Sequence, residues 1–331
     1  MKKCVIITSI HPFAQTSIQF WVASGWDVIV AGDKKTPHEY ERIEGIQYLG
    51  IDTQRRQYSS LSDAIPFNSY QRKNFGYLYA IQNGYDLIFD TDDDNYPIKN
   101  WAAVIQPGPE QHCDIIEGPR VPNILALYTS QPVWPRGFPL ELINQQQPVH
   151  KRRYTEPSRV YVWQGLAAGT PDVDAIFRLT AQNSAAEFQF VGDHYYACAE
   201  KVYTPGNTQT TAWNAPPVFH LQYLPVTVSF RFCDILKMYV MQRCLWEYGG
   251  LFGYMPTVVE HKRNWHNLME DFILEIEMYK NVYHLIDILD DQKLAGNRED
   301  LYKVYERLVQ EDIVQAGELR TVEAWLRAIE I

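Results

Sequence analysis

The run Asp90-Thr91-Asp92-Asp93-Asp94 sets four carboxylates within five residues. Carboxylates so close repel one another strongly in a low-dielectric cleft unless a proton or a cation lies between them. Hard oxygen donors suit Mg2+ or Mn2+, and such an ion can bridge the diphosphate of a nucleotide. The plain alternative is a solvated turn capped by aspartate. Just upstream, Gln71-Arg72-Lys73-Asn74 opens a helix-like stretch. Cations at a helix start oppose the macrodipole, and a bound diphosphate countered by Arg72 or Lys73 would compensate them. Both side chains could equally face solvent. Asp33, in Gly32-Asp33-Lys34-Lys35, can accept hydrogen bonds from a base or ribose, or only shape its turn.

These residues need a frame. Residues 4–10 are β-branched and apolar, the pattern of a buried strand, and 14–24 reads as a helix stopped by Gly25. Strands at 26–31 and 46–49 follow. A helix is expected over 68–83, with Phe75, Leu78, Tyr79 and Ile81 on its apolar side and Gly84 as its stop. The strand at 86–89 runs straight into the acid cluster. Strand–helix alternation of this kind predicts an α/β fold with a mostly parallel central sheet, and ligands at the carboxyl ends of its strands. Asp33 and the acid cluster both fall at such ends. Residues 107–157 are proline-rich and irregular, and long ordered loops are often functional. Helical periodicity returns at 171–180 and 228–248. Beyond 267 the chain reads as helical, with Leu301, Val304, Tyr305, Leu308 and Val309 on one stripe. The expected division is a nucleotide-binding domain over 1–260 and a C-terminal helical region over 261–331.

Composition narrows the function classes. The chain of 331 residues is long enough for one large α/β domain with an appendage. Its 30 Lys and Arg against 40 Asp and Glu give a formal charge of −10, which repels a phosphate backbone and argues against nucleic-acid binding. Five scattered cysteines read as buried thiols of a reducing compartment, so a cytoplasmic location is expected. The N-terminal apolar run is read as a first strand rather than a leader, and no stretch approaches the roughly 18–20 apolar residues of a membrane span. Phosphate-loop, dinucleotide and serine-elbow motifs are missing, which removes the ATPase, dinucleotide oxidoreductase and serine-hydrolase readings.

Several longer runs carry a more specific signal. Gly32-Asp33-Lys34-Lys35-Thr36-Pro37, Arg72-Lys73-Asn74-Phe75-Gly76-Tyr77, Trp134-Pro135-Arg136-Gly137-Phe138-Pro139-Leu140 and Gln164-Gly165-Leu166 occur in that order. Pro171-Asp172-Val173-Asp174-Ala175-Ile176-Phe177-Arg178, Leu224-Pro225-Val226-Thr227-Val228-Ser229-Phe230-Arg231 and Lys262-Arg263-Asn264 follow them. Together they resemble the STELLO family of glycosyltransferase-like proteins. The resemblance implies a GT-A-like nucleotide-binding sandwich whose Asp-x-Asp motif holds Mn2+ or Mg2+ and a nucleoside diphosphate-sugar. It puts Asp33 in the nucleotide-contact segment, Arg72 and Lys73 near the phosphates, and Asp90, Asp92 and Asp93 on the metal motif. Asp94 reads as an addition to the family pattern.

Chemistry assigns the remaining roles. A carboxylate base within reach of an acceptor hydroxyl is expected among Asp172, Asp174 and Asp193. Arg136 and Arg178 are candidates to hold phosphate or acceptor charge, and His266 is the late-chain histidine expected to complete the metal set. Trp134 and Trp163 are candidate sugar platforms, and Arg231 with Asp234 a structural ion pair. The expected activity is transfer of a sugar from a nucleoside diphosphate-sugar, a UDP-sugar first, to a glycan or other hydroxyl acceptor. The rivals are a nucleotide-sugar mutase, whose triple aspartate resembles Asp92-Asp93-Asp94, and a non-catalytic scaffold for glycan assembly. The C-terminal helices are expected to close over the site, touch a partner or membrane surface, or complete the core.

Overall fold

In the computed structural model, which describes residues 1–105, 112–145, 148–181, 188–264 and 267–330, the apolar runs assemble into one sheet. Its strands are β1 Lys3–Thr8, β2 Asp27–Ala31, β3 Ile46–Leu49, β4 Leu87–Thr91, β5 Asn95–Pro97 and β6 Cys113–Gly118. Then come β7 His150–Tyr154, β8 Val160–Gly169, β9 Tyr195–Cys198, β10 Thr210–Trp213 and β11 Leu251–His261. The order is β3-β2-β1-β4-β10-β8-β11-β9-β6-β7, with β5 paired to β11. The first four strands are parallel, as their alternation with helices predicts. β10 then runs antiparallel between β4 and β8, so the sheet is mixed beyond β4.

Both faces of the sheet are covered. On β1, Cys4 and Ile6 point into one apolar core and Val5 and Ile7 into the other. This is why strands that alternate in direction of side chain read as continuous apolar runs. The covering helices are α1 Ile18–Val22, α2 Ile51–Gln57, α3 Ser59–Ala64, α4 Asn74–Gln82 and α5 Trp101–Val104. They are followed by α6 Ala175–Thr180, α7 Cys233–Glu247, α8 Leu268–Asp290, α9 Glu299–Gln310 and α10 Glu318–Ile329. Several are shorter than the sequence suggests. The stretch 68–83 is a 3-10 turn, Tyr70–Lys73, leading into α4. Residues 171–174 are outside α6, whose N-terminus is set by Asp174 accepting from the Phe177 N–H at 2.7 Å.

The last three helices enter the same core as the first strands. Leu308 and Trp325 are fully buried there, and the Trp325 indole donates to the His220 carbonyl at 2.8 Å. Glu318, at the start of α10, accepts from the backbone of Val226 and Thr227 and from the Tyr223 hydroxyl. The described part of 107–157 is less irregular than expected, since it holds β6 and β7, and residues 107–111 and 146–147 lie outside the described residues. β7 forms one rim of the sheet and exposes His150, Lys151, Arg152 and Arg153. All five cysteines are buried free thiols. No helix among the described residues is long and apolar enough to cross a membrane.

Candidate active site

The carboxyl end of β4 carries the acid cluster, and its four carboxylates face different surroundings. Asp90 is still on the strand and wholly buried. Its Oδ1 lies 2.6 Å from Lys73 Nζ, its Oδ2 accepts from the Tyr77 hydroxyl, and Lys237 Nζ stands 3.6 Å away. Lys73, equally buried, also donates to the Thr91 carbonyl at 2.6 Å and to Asp92 Oδ1 at 3.2 Å. Burial disfavours the Lys73 charge, but Asp90 and Asp92 outweigh it and hold its pKa above the ordinary value. Lys73 thus neutralises the acid cluster from within the protein, where a phosphate contact was expected. The carboxylate of Asp90 is likewise turned to protein cations.

Asp92 is the first of the four to reach solvent, with its side chain 30% exposed. Its Oδ1 accepts from the Tyr70 hydroxyl at 2.8 Å. Burial, followed by the opposing pull of Lys73 and the push of Asp94, leaves its pKa raised. Asp93 turns to the other side and accepts from the Ser9 hydroxyl, and burial lifts its pKa to about 6. Asp94 meets His261, with Oδ2 3.1 Å from Nε2. Burial opposes the charge of Asp94, but His261 and the Asn264 backbone outweigh it and hold the carboxyl below its usual range.

Two adjoining cavities open on this end of the sheet. The larger, about 580 Å³, runs from Asp33 and Thr36 past Phe67 to Asp92 and Asp94. The smaller, about 120 Å³, is lined by Asp92, Asp94, His261, Arg136, Asp172 and Arg263 among others. Tyr70, Asp92, Asp94 and Phe230 border both. Asp33 is half-buried at the far end of the large cavity, where it accepts from the Ser69 N–H at 2.9 Å and the Lys34 N–H at 2.6 Å. Arg72 borders the same cavity, but its donors are taken by Gln54, Ser62 and the Ile65 carbonyl. It braces the wall, where the sequence suggested a free phosphate contact.

The fit of a divalent cation can be judged from these donors. Among the described residues no three His, Cys, Asp or Glu side chains already converge as a ligand set. Asp92 and Asp94 nevertheless face one cavity together with the imidazole of His261, a donor set suited to Mn2+ or Mg2+. The His261 Nδ1 sits between the Thr170 carbonyl and the Gln209 side-chain amide, which hold the ring with Nε2 towards Asp94. A cation between Nε2 and the carboxylates would satisfy both acceptors, as does protonation of the ring. His266, the histidine expected in this role, lies outside the described residues.

The remaining expected residues are scattered or locked. Arg136 is gripped by two carboxylates, reaching Asp172 Oδ2 and Asp234 Oδ2 at 2.7 Å each. Burial opposes the charge of Asp172, yet Arg136 overrides it and pulls its pKa well below the usual range. Of the three expected bases, Asp172 alone borders the cavities. Asp174 is the buried cap of α6 and also accepts from the Trp134 indole at 2.6 Å. Asp193 lies on the surface, its side chain almost wholly exposed. Arg178 is buried, donates to the Pro171 carbonyl, and burial with Arg263 nearby lowers its pKa to about 9. Arg231 pairs with Glu275 at 2.5 Å, so its main partner is not Asp234. Trp163 is fully buried, and Trp134 packs edge-on against Phe177, which leaves neither ring free as a platform.

Tyr70, Phe230 and the pairing of His261 with Asp94 were not singled out by sequence. The signal for His261 is long-range: β11 pairs antiparallel with β5, setting His261 opposite Asn95, directly after the acid run.

The acid run lies at the carboxyl end of a parallel strand and opens on a cleft, which is where open α/β sheets bind their ligands. Comparison with known proteins finds similar chains. The chain is 30% identical over 329 residues to a protein named probable glycosyltransferase STELLO1 of Arabidopsis thaliana, and 29% identical over 327 residues to probable glycosyltransferase STELLO2. Each alignment covers 92% of this chain and 41% of the relative, so the chain spans less than half the length of either. The resemblance to the STELLO family read from the motifs is therefore borne out. No family model matches. A crystal structure of GalNAc-T7 with UDP, GalNAc and Mn2+ aligns over 92% of this chain and 54% of its own, at 10% identity and a TM-score of 0.37, too slight a likeness to weigh.

Proposed function

We propose that the protein is a metal-dependent glycosyltransferase using a nucleoside diphosphate-sugar, with UDP as the first nucleotide to test. The nucleoside occupies the large cavity between Asp33 and Asp92, and the sugar lies towards the small one. The observation that carries this reading is the position of Asp92 and Asp94 on the border between the two cavities, where a diphosphate would join the two halves of such a donor. Asp92 and Asp94, with His261, would hold Mn2+ or Mg2+, and the ion would supply stabilisation of charge on the leaving diphosphate. Lys73 opposes the burial that raises the Asp92 pKa, and Tyr70 donates to its Oδ1. The metal role expected for Asp90 passes in this reading to Asp94, because Asp90 is enclosed by Lys73, Lys237 and Tyr77. The acceptor is a glycan or another hydroxyl compound.

Thermal denaturation with Mn2+ and UDP tests the proposal. The melting temperature rises with both together, by more than either gives alone, and Asp92→Ala loses that rise. An unchanged melting temperature in the wild-type protein, or an undiminished rise in Asp92→Ala, would overturn it. The mutase reading draws on the same three consecutive aspartates at the cleft, and a UDP-pentose supplied without acceptor separates the two. Ring-isomerised donor marks a mutase, whereas slow hydrolysis marks a transferase.

A further inference from the structure

The aromatic side chain that the cavities leave free is Phe230. It is 43% exposed and borders both cavities, beside Asp92 and Asp94. An exposed aromatic on a loose loop is common and calls for no explanation. This one sits on a loop held on either side of it. The Ser229 N–H donates to Glu277 at 3.0 Å, and its hydroxyl donates to the Leu274 carbonyl. Arg231 is fixed to Glu275 of α8 through two nitrogens, and its carbonyl accepts from Arg136. The Phe230 ring touches Tyr70 edge-on, with centroids 6.1 Å apart. Four anchoring interactions on the flanking residues therefore hold an apolar ring in place between two polar cavities. At the far end of the large cavity the aromatic is Phe67, whose ring is already engaged by Lys34 and Arg72.

A flat apolar face at the diphosphate end of a donor site is complementary to the C–H face of a pyranose or pentose ring, which has one apolar side and hydroxyls around its edge. We infer that Phe230 is the platform on which the sugar of the nucleotide-sugar rests. The hydroxyl edge of that sugar is then left to the charged side chains of the small cavity. This inference rests on the nucleotide-sugar reading given above and adds the residue that distinguishes a sugar nucleotide from the bare nucleotide.

Isothermal titration in Mn2+ buffer tests it, with UDP and with whichever of UDP-glucose, UDP-galactose and UDP-xylose binds the wild-type protein most tightly. Phe230→Ala is expected to weaken the sugar nucleotide by about 5-fold or more, in line with the loss of one aromatic contact. UDP should be bound by wild type and variant within about 2-fold of each other, since it lacks the sugar that the ring is inferred to carry. Phe230→Trp keeps a flat face and retains most of the sugar-nucleotide affinity. Equal losses for UDP and the sugar nucleotide, or no loss for either, would overturn the inference while leaving the nucleotide-sugar reading intact. Wild-type protein that binds neither compound would overturn both together. The exposed position of Phe230 means the variants should melt close to wild type, so a binding loss is not a folding loss.

Discussion

Lys73 Nζ and Asp90 Oδ1 lie 2.6 Å apart with neither side chain open to solvent. Breaking such a pair leaves an uncompensated charge in the interior. Lys73→Met is expected to lower the unfolding free energy by about 3–5 kcal/mol, measured by urea denaturation. A loss below about 1 kcal/mol would mean that Lys237, 3.6 Å from the same carboxylate, carries the compensation instead.

Asp174, away from the two cavities, gives a pH signature that one substitution can isolate. Burial raises its pKa to about 6 in the folded protein, above the ordinary carboxylate value of about 4. Between those values the folded state binds more protons than the unfolded one, so stability from this group is full below pH about 4 and declines as pH rises through about 6. Asp174→Asn cannot titrate. The gap in unfolding free energy between wild type and variant should shift by about 2 kcal/mol in favour of the variant from pH 4 to pH 7. Parallel pH profiles for the two proteins would rule this out.

Asp193 and Arg136 were both drawn from the sequence as site residues, and they should separate cleanly. Asp193→Ala, on an exposed side chain, changes stability by less than about 0.5 kcal/mol. It also leaves donor turnover unaltered. Arg136→Met strands Asp172 and Asp234 and costs about 3–5 kcal/mol. Paired denaturation curves and donor-hydrolysis rates check both expectations.

The C-terminal helices are predicted to be indispensable to the fold. Glu318→Ala removes the acceptor for two backbone N–H groups and the Tyr223 hydroxyl, and should cost about 2–4 kcal/mol by urea denaturation. A chain cut after His261 exposes the core residues that Leu308 and Trp325 cover, and should be recovered as insoluble protein.

The first four parallel strands and the acid run were legible because they depend on local pattern, namely apolar runs stopped by Gly or Asp. The α8–α10 helices were legible for the same reason, through their 3.6-residue period. What stayed hidden depends on contacts between distant residues. Nothing near Lys73 in sequence announces that its ammonium faces inward to Asp90, 17 positions on, instead of outward to a ligand. Nor does any local feature tie His261 to Asp94, which only the β5–β11 pairing joins. Asp174 was expected among the candidate bases, and in the structure it is the N-cap of α6. Aromatic residues were the least legible, since Trp163 in a strand and Phe230 in a turn differ in exposure for reasons set by packing alone.

The cationic rim formed by β7 has a consequence for how the molecule behaves in crowded solution. A sheet edge invites another strand to add to it, and an incoming chain here would first have to strip water from Lys151, Arg152 and Arg153. In a molecule of net charge −10, this is also where positive charge is gathered along one strand. The rim therefore acts as a guard against fibril-like growth, and replacing those three cations with threonine should turn a well-behaved protein into one that thickens and precipitates as it is concentrated.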